Sequence, residues 1–281
     1  MDAGKVYFVG AGPGAPDLIT VRGQRLLEAA DFILYTGSLV PKVLFEGLSA
    51  EVLDSRGLDI GQIVALLIEH LERGEKVARV HTGDPGIYGA VQEQQARLKA
   101  AGWPWEVVPG VTAAFAAAAA ASHELTLPEL TQTVVLSRTE GRTPMPEGEK
   151  LSDLGRLGGA TLCLYLSATL TEKVSRELID AGRAPDTPAV IVQYASMSEK
   201  QRIVRCRLDA LHTAARDAGI RAQAMLLIGP ALDPSHKDKV GAFDSRLYAA
   251  DFSHRFRRKA SGDSPSTPRT PRTPRTPEES A

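Results

Sequence analysis

The sequence lacks the features that mark disulfide-rich, metal-binding and membrane-spanning proteins. It has only two cysteines in 281 residues, Cys163 and Cys206, and no CxxC pair, so neither a zinc site nor a disulfide framework is predicted. Its net charge is −1, which gives no overall basic balance for nucleic acid or an anionic membrane. Its longest apolar stretch, residues 111–121, is much shorter than the roughly 20 residues that span a bilayer. We therefore expect a soluble, cytoplasmic protein with two buried thiols.

Hydrophobic residues make up 43% of the chain and charged residues 24%, which is ordinary for a globular protein with a core. The length exceeds the roughly 100–200 residues that are typical of one domain. We predict two α/β domains, residues 1–112 and 113–234. The remainder, residues 235–281, has low complexity and repeats Thr-Pro-Arg three times at 267–275. Prolines spaced by three preclude a helix and favour extended coil, so this tail is predicted to be disordered.

Strand and helix patterns alternate along residues 1–233. In the first half, single β-rich runs such as residues 6–9 are separated by helices, and this order predicts a largely parallel sheet. Thr20 and Asp59 are predicted to cap two of these helices. In the second half, two strands stand back to back around residues 195–198, which predicts a mixed sheet. The fold class is therefore α/β.

A glycine-rich loop, Gly-Ala-Gly-Pro-Gly at residues 10–14, directly follows the first strand. Three glycines in five residues let the backbone approach a ligand or another loop closely. The spacing also satisfies the G-x-G-x-x-G/A pattern of NAD-binding proteins, which makes a NAD-dependent oxidoreductase an alternative. Against this alternative, Pro13 and Pro16 remove N–H donors that should cradle a pyrophosphate. In addition, Asp31 has the right count for the ribose-binding acid but stands at the start of the second strand, not at its end.

Two more loops follow strands: His-Thr-Gly-Asp-Pro-Gly at residues 81–86 and Pro-Gly-Val-Thr at residues 109–112. Because the carboxyl ends of parallel strands face one crevice, all three loops are predicted to meet there. Asp84 can accept hydrogen bonds from a ligand or cap the next helix, and Thr112 is an N-cap candidate whose hydroxyl faces the crevice. His81 has no second histidine at metal spacing, so it is predicted to be a wall residue or a hydrogen-bonded one. No metal site is predicted.

Together these loops resemble the signatures of the tetrapyrrole methylase family. Gly-Ala-Gly-Pro-Gly with Asp-Leu-Ile-Thr at 17–20 resembles the N-terminal signature, and residues 77–89 followed by Val-Pro-Gly-Val-Thr resemble the second. The likeness covers about residues 5–233. The segments Thr-Gly-Ser-Leu-Val-Pro at 36–41 and Leu-Thr-Leu-Pro-Glu-Leu-Thr-Gln-Thr at 125–133 further resemble the branch that methylates C-11 of precorrin-4. The family implies two α/β domains, S-adenosylmethionine in the cleft between them, and a homodimer.

The resemblance implies a set of cofactor contacts, carried over position by position. The residues expected to contact S-adenosylmethionine are Pro13, Thr82, Gly83, Asp84, Ile87, Thr112, Ala113, Leu166 and Ala195. At three of these positions the chain departs from the family pattern. Thr82 and Ala195 stand where relatives have glycine, and Leu166 stands where relatives have methionine.

Substrate contacts are predicted from the chemistry of the implied substrate, which carries many carboxylates. Arg138 and Arg142 are the first candidates because a guanidinium group can hold a carboxylate in bidentate fashion. The alternative for both is an exposed charged loop. Ser38 and His123 are weaker candidates for the crevice wall.

The implied reaction is methyl transfer from S-adenosylmethionine to C-11 of precorrin-4, giving precorrin-5 and S-adenosylhomocysteine in corrin ring biosynthesis. Because the sulfonium is already activated, no covalent or general-base residue is predicted, and positioning performs the catalysis. The cobalt-bound macrocycle is the alternative substrate; the Thr-Gly-Ser-Leu-Val-Pro segment favours the metal-free one. An RNA methyltransferase would need a basic face, whereas residues 1–233 carry net negative charge. A scaffold protein that works through its tail is disfavoured by the intact crevice loops.

Overall fold

The structure is a computed structural model that describes residues 1–239, 241–248, 252, 253 and 255, with the backbone alone for Ser38. Residues Met1–Asp238 form one compact unit, which holds both sheets and the candidate site, and a second unit begins at Lys239. The Thr-Pro-Arg repeats of the predicted tail lie outside the described residues. Within the described part of the chain, no helix is long and apolar enough to cross a membrane.

The first half of the main unit is a parallel sheet. Its strands are β1 (Val6–Gly10), β2 (Phe32–Tyr35), β3 (Glu51–Asp54), β4 (Val77–His81) and β5 (Trp105–Val108). They pair in the order β3-β2-β4-β1-β5, and every pairing is parallel. All residues of β1, β2 and β4 are buried, as expected of strands that are covered on both faces. The predicted parallel sheet is confirmed.

Three α-helices alternate with these strands: α1 (Val21–Glu28), α2 (Ile60–Glu72) and α3 (Val91–Ala100). The hydroxyl of Thr20 caps α1 by accepting the N–H of Gly23 at 3.0 Å. Asp59 and Gln62 form a reciprocal capping box at the start of α2. Both predicted caps are therefore present. They satisfy backbone N–H groups that the start of a helix leaves without partners.

The second half of the unit is a mixed sheet, as predicted. Its strands are β6 (Val134–Arg138), β7 (Thr161–Tyr165), β8 (Pro188–Gln193), β9 (Arg202–Arg207) and β10 (Ala224–Ile228). They pair in the order β6-β7-β10-β8-β9; β6 and β7 are parallel, and the other pairings are antiparallel. The helices of this half are α4 (Ala113–Ala120), α5 (Leu151–Leu154), α6 (Thr171–Asp180) and α7 (Leu211–Asp217).

Helix α4 follows the last strand of the first sheet and packs on the second. Ala114, Ala117 and Ala121 are fully buried, in a cluster with Cys163 of β7 and Leu227 of β10. Small side chains let the helix lie close to the sheet at the density of a protein interior. Eight helical residues span about 12 Å. The two ends of α4 therefore lie in different regions of the molecule, and it is the N-terminal end that lies at the crevice.

Candidate functional site

Three glycine-containing loops meet at the carboxyl edge of the first sheet. Strand β1 lies between β4 and β5, so the segments that follow these strands emerge side by side. The N–H of Gly83 donates to the carbonyl of Gly12 at 2.7 Å, and the reverse bond is 3.2 Å long. A Cβ on Gly110 would lie 2.1 Å from the carbonyl oxygen of Gly83, and one on Gly10 would lie 2.6 Å from it. We call these four residues the glycine junction; its backbones touch, so side chains have no room there.

Asp84 ties two of these loops together. Its Oδ1 accepts the N–H of Gly86 at 2.7 Å, within its own loop. Its Oδ2 accepts the N–H of Gly110 at 2.9 Å, across the junction. The carboxylate thus orders the turn after β4 and fixes it to the loop after β5. Each oxygen keeps a second lone pair, so the cofactor contact carried over to Asp84 stays a prediction.

A cavity of about 390 Å³, the smaller cavity, lies beside the glycine junction. Five of the nine predicted cofactor residues line it: Pro13, Thr82, Ala113, Leu166 and Ala195. Most of the remaining wall comes from the second half of the unit and includes Tyr165, Thr169, Tyr194 and Met225. A largely apolar wall with a few hydroxyl groups is typical of small-molecule sites.

The other four predicted cofactor residues lie in the loops around the smaller cavity and not in its wall. Gly83 belongs to the glycine junction, and Asp84 holds that junction together. Ile87 is half-buried one turn further on, where its N–H donates to the Asp84 carbonyl at 3.4 Å. Thr112 directly precedes Ala113 and is buried. The structure therefore brings all nine residues to one region, with five of them facing the cavity.

A second cavity of about 690 Å³, the larger cavity, adjoins the smaller one. Its wall consists of three chain segments, residues 14–18, 39–41 and 196–200. Two of its residues, Leu39 and Met197, also line the smaller cavity. The two cavities are therefore neighbours with a shared apolar wall.

The geometry argues against the NAD-binding alternative. The Asp31 carboxylate accepts the N–H of Lys76 at 2.8 Å, just before β4 begins. That contact places Asp31 at the amino edge of the first sheet, whereas a ribose-binding acid lies at the carboxyl edge. In the glycine loop after β1, the N–H of Gly12 donates to the carbonyl of Gly83, so it is not available to a ligand.

Comparison with known proteins identifies the family. The family model for tetrapyrrole (corrin/porphyrin) methylases matches residues 5–212, which include the whole first sheet and four strands of the second, β6 to β9. The chain belongs to this family. The match confirms the resemblance inferred from the loop sequences.

Individual relatives extend over nearly the same length. The chain is 51% identical to the cobalt-precorrin-4 C(11)-methyltransferase of Priestia megaterium, over 90% of this chain and 98% of the relative. It is 46% identical to the precorrin-4 C(11)-methyltransferase of Pseudomonas aeruginosa, with the same coverage. The X-ray structure of a cobalt-precorrin-4 methyltransferase superposes with a TM-score of 0.79 at 52% identity, covering 82% of this chain and 96% of that one.

Tetrapyrrole methylases take their methyl group from S-adenosylmethionine. The chain is also similar to a uroporphyrin-III C-methyltransferase of Thermus thermophilus whose structure was solved with S-adenosylhomocysteine. The TM-score is 0.69 at 30% identity, covering 82% of this chain and 99% of that one. The smaller cavity fits S-adenosylhomocysteine in size and chemistry. Leu166, Ala195 and Met225 offer apolar surface for a flat ring, and Thr82 and Tyr165 offer hydroxyl groups.

A pair of hydroxyl groups joins the two halves of the methylase at this cavity. Thr112 stands at the N-cap position of α4, yet its side chain makes no cap bond. Its Oγ1 instead lies 2.5 Å from the hydroxyl of Tyr165, at the end of β7. Burial raises the pKa of Tyr165, so its hydroxyl stays protonated in ordinary buffers. Tyr88, from the loop after β4, meets the Tyr165 ring edge-on with centroids 5.4 Å apart.

We expect removal of either hydroxyl to weaken the contact between the halves. Thr112→Val and Tyr165→Phe should each lower the free energy of unfolding by about 1 kcal/mol, because each deletes the same hydrogen bond and keeps the side-chain shape. The double variant should cost little more than either single one. Urea denaturation of all four proteins measures this coupling. Fully additive losses would show that the two hydroxyl groups do not act as a pair.

His81, at the end of β4, is a buried neutral histidine. It is 2% exposed, and its Nε2 has no hydrogen-bond partner among the residues that the structure describes. Burial lowers the pKa of His81 to about 3, with the charge of Arg79 as a smaller cause. The side chain packs under the loop that follows β4, where a Cβ on Gly89 would lie 3.3 Å from its Nδ1. His81 thus packs beneath the loop of Asp84, but it lines neither of the two cavities, so its predicted place in the crevice wall is not supported.

This histidine should make the methylase less stable in acid. The unfolded chain binds a proton at His81 below pH 6.5 and the folded chain does so only near pH 3, so stability falls as pH drops through this window. The expected contribution is about 1.4 kcal/mol per pH unit. Urea denaturation between pH 7 and 4.5 should show a shallower decline for His81→Leu than for the wild type. His212→Leu, at an exposed histidine, is the control, and equal slopes for all three proteins would contradict the prediction.

The predicted substrate contacts are not brought together. Arg138 donates to the carbonyls of Thr139, Thr143 and Pro144, at 3.4, 3.1 and 2.7 Å, so its guanidinium orders its own loop. Arg142 lies exposed on that same loop. The side chain of Ser38 is outside the described part of the structure.

His123 lies beyond the far end of α4, away from the crevice. Burial lowers its pKa, and the charges around it belong to Lys237, Arg205 and His236. It lines neither of the two cavities. Its expected place in the crevice wall therefore has no support in the structure, because α4 carries it about 12 Å from Thr112.

Sequence reasoning missed several residues of the smaller cavity. Tyr165, Tyr194 and Met197 come from strand ends and a turn of the second half, and no glycine-rich pattern marks them. Leu166, Tyr194 and Ser196 have φ angles of 53°, 51° and 73°. Such left-handed values are uncommon for residues with a side chain and often occur at functional sites, but they cannot be read from a single sequence.

Proposed function

We propose that this methylase transfers the methyl group of S-adenosylmethionine to C-11 of the precorrin-4 macrocycle. The observation that carries the proposal is the 46–51% identity, over 90% of the chain, to relatives named for that reaction. The structure supplies a matching layout, with a ligand-sized cavity at the glycine junction and a larger cavity adjoining it.

We further propose that the nine carried-over residues form the cofactor site in two layers. Pro13, Thr82, Ala113, Leu166 and Ala195 would touch the ligand, because they line the smaller cavity. The remaining residues, Gly83, Asp84, Ile87 and Thr112, would act through the loops that shape it. Asp84 illustrates the second layer, since both its oxygens hold backbone N–H groups of the loops.

Catalysis in this proposal rests on positioning. When bound, S-adenosylmethionine supplies a methyl group that is already activated by its sulfonium. The ring carbon forms the new C–C bond with its own electron pair, the C–S bond pair stays on sulfur, and the macrocycle releases a proton. The chain has to hold the ring carbon and the methyl about 3–3.5 Å apart, which can contribute roughly 7–11 kcal/mol. The apolar wall with Leu166, which is 71% exposed at its edge, would exclude water once the ligand is in place.

The acceptor carries carboxylates, and we propose that Arg142 meets one of them. Its guanidinium is exposed, on a loop that the Arg138 side chain holds in shape. Arg138 would then support the contact from behind. Arginine suits this task because its planar fork matches a carboxylate.

Each of two forms of the macrocycle, metal-free and cobalt-bound, is favoured by one observation. The sequence favours metal-free precorrin-4 through the segment at residues 36–41. The 51% identity to the Priestia megaterium enzyme, which is named for cobalt-precorrin-4, favours the cobalt-bound form. The chemistry at C-11 is the same in both cases, since the ring itself would hold the metal.

One assay tests the function and the metal state together. Methyl-labelled S-adenosylmethionine is supplied anaerobically with either metal-free or cobalt-bound precorrin-4, and NMR locates the label. Label at C-11 supports the proposed reaction, and the ring that accepts it faster identifies the metal state. Label at another carbon, or no transfer to either ring, would contradict the proposed substrate.

We also propose that the methylase is a homodimer. The strands before and after α4 in the chain, β5 and β6, are each the edge strand of a sheet, and each exposes an apolar side chain, Val107 and Leu136. Phe115 on α4 is 56% exposed. Apolar side chains at sheet edges favour burial against a second chain. Light scattering during size-exclusion chromatography tests the mass, and Phe115→Asp should shift a dimer toward monomer.

Finally, we propose a cytoplasmic setting. Both cysteines are free; Cys163 is buried in the core, whereas Cys206, which was also expected to be buried, is only half-buried. Burial raises the pKa of Cys163 to about 12, which keeps its thiol unreactive. Free thiols of this kind are usual in a reducing compartment.

A further inference from the structure

The two cavities of the methylase share one lining residue from each half of the molecule. Leu39 ends the short 3-10 turn Gly37–Leu39 that follows β2. Met197 lies in the turn between β8 and β9. Both side chains are half-buried, and both line the smaller and the larger cavity. They form the wall that the two cavities share.

Met197 is held in place by the glycine loop of the first half. A Cβ on Gly14 would lie 2.6 Å from Met197 Cε and 2.7 Å from its Cγ, so the methionine lies flat on the Gly14 backbone. Beside it, the N–H of Ala15 donates to the Oγ of Ser196 at 2.9 Å. A packing contact and a hydrogen bond thus fix the same two neighbouring residues to the opposite half.

The turn that carries Met197 is also braced from its own side. The N–H of Ser196 donates to Oε1 of Gln201 at 2.8 Å, and the N–H of Gln201 donates to the Met197 carbonyl at 2.7 Å. Tyr194 and Ser196 adopt left-handed φ angles of 51° and 73°. Such angles persist only where the surrounding contacts hold them. The position of Met197 is therefore set by the fold before any ligand binds.

We propose that Met197 is a positioning residue for methyl transfer: with Leu39 it borders the opening between a donor cavity and an acceptor cavity, and Ser196 holds it there. This inference rests on the proposed function, in which the donor occupies the smaller cavity and the macrocycle enters the larger one.

The chemistry of the shared wall suits this role. The reacting carbon and the methyl must meet at about 3–3.5 Å, so side chains between the cavities have to flank the line of transfer without blocking it. Leucine and methionine supply no hydrogen-bonding donor that would draw water to that line. Methionine is unbranched and adapts its shape to an irregular gap. Gly14 contributes by its lack of a side chain, since the Cβ of any other residue would overlap the Met197 side chain and displace it.

The test compares Met197→Ala, Met197→Leu and Leu157→Ala, the last at an exposed leucine that lines neither cavity. Two readouts are needed. The dissociation rate of S-adenosylhomocysteine, measured by stopped-flow displacement, requires no acceptor. The second readout is kcat and KM for the macrocycle that the wild type methylates.

We expect Met197→Ala to raise the dissociation rate about tenfold, because the opening between the two cavities becomes wider. It should also lower kcat about tenfold with less than a threefold change in KM, because the reacting atoms lose their alignment while the larger cavity is kept. Met197→Leu should restore both values to within threefold of the wild type. Ser196→Ala should move both values in the same direction as Met197→Ala but less far.

Failure of the inference and failure of the proposed function give different results. If the wild type methylates the macrocycle at C-11 and Met197→Ala matches Leu157→Ala in both readouts, the positioning role is wrong and the function stands. If the wild type binds S-adenosylhomocysteine but methylates neither form of precorrin-4, the proposed substrate is wrong. In that case, comparing the S-adenosylhomocysteine dissociation rates of the wild type and Met197→Ala still decides whether Met197 narrows the opening of the smaller cavity.

Discussion

Replacing Gly110 with alanine should lower the free energy of unfolding by about 3 kcal/mol or more and abolish binding of S-adenosylhomocysteine. The added Cβ would lie 2.1 Å from the carbonyl oxygen of Gly83 and 2.9 Å from the Cα of Gly10. Both neighbours are backbone atoms, which cannot rotate away as a side chain can. The loops after β1, β4 and β5 would therefore have to separate, and overpacking of this kind is among the costliest changes in a core.

Gly158→Ala is the matched control for this change. Gly158 lies in the loop before β7, has open space within 4 Å of its Cβ position, and does not use a left-handed φ angle. It should unfold at nearly the wild-type urea concentration and bind S-adenosylhomocysteine normally. If Gly110→Ala matched this control in urea denaturation and calorimetric titration, the three loops could not be as close as the structure places them.

The second large effect is expected at Asp84. In Asp84→Asn, an amide nitrogen replaces one carboxylate oxygen, so either Gly86 or Gly110 presents its N–H to a donor instead of an acceptor. Loss of a hydrogen bond to a charged group costs about 1.5–3 kcal/mol. We expect a loss of about 2 kcal/mol in the free energy of unfolding and at least tenfold weaker binding of S-adenosylhomocysteine.

Two measurements separate this structural role from a direct ligand contact. Urea denaturation without ligand should already show the loss, since the hydrogen bonds of Asp84 run to the protein backbone. Asp186→Asn, at an exposed aspartate, controls for the change of charge and should leave stability and binding unchanged. Wild-type stability of the free Asp84→Asn protein, together with weakened binding, would assign Asp84 to the ligand alone.

The meeting of the glycine loops was predictable because parallel strands place their carboxyl ends at one edge of a sheet. Once Val-Tyr-Phe-Val at 6–9 and the strands before His81 and Pro109 are recognised, the three loops must converge. The same reasoning correctly set Asp31 aside, because strand direction alone puts it at the opposite edge. Fold class and sheet types followed from the order of the elements.

Residues whose role depends on side-chain direction or on the other half of the chain were not predictable in this way. Thr112 has the sequence features of a helix cap, yet its hydroxyl turns to Tyr165, 53 residues later. Arg138 has the features of an anion contact, but the carbonyls of its own loop take its donors. Met197 stands in an ordinary polar turn, and only the fold lays it against Gly14. Local patterns carry no information on such long-range contacts.

The two sides of the site should differ in how well they tolerate substitution. The backbones of the glycine junction are in contact and its carboxylate tether is complete, so this side of the site can vary little without losing the fold. The opposite side includes the turn of residues 194–201. There Ser198, Glu199 and Lys200 are exposed and line the larger cavity, so their side chains can be exchanged while the hydrogen bonds of Ser196 and Gln201 that brace the turn remain. Variants that methylate a different acceptor ring should therefore be easier to obtain by substitutions in that turn than by substitutions in the loops of the first half. The same molecule would then keep one way of holding its methyl donor while its choice of acceptor changes.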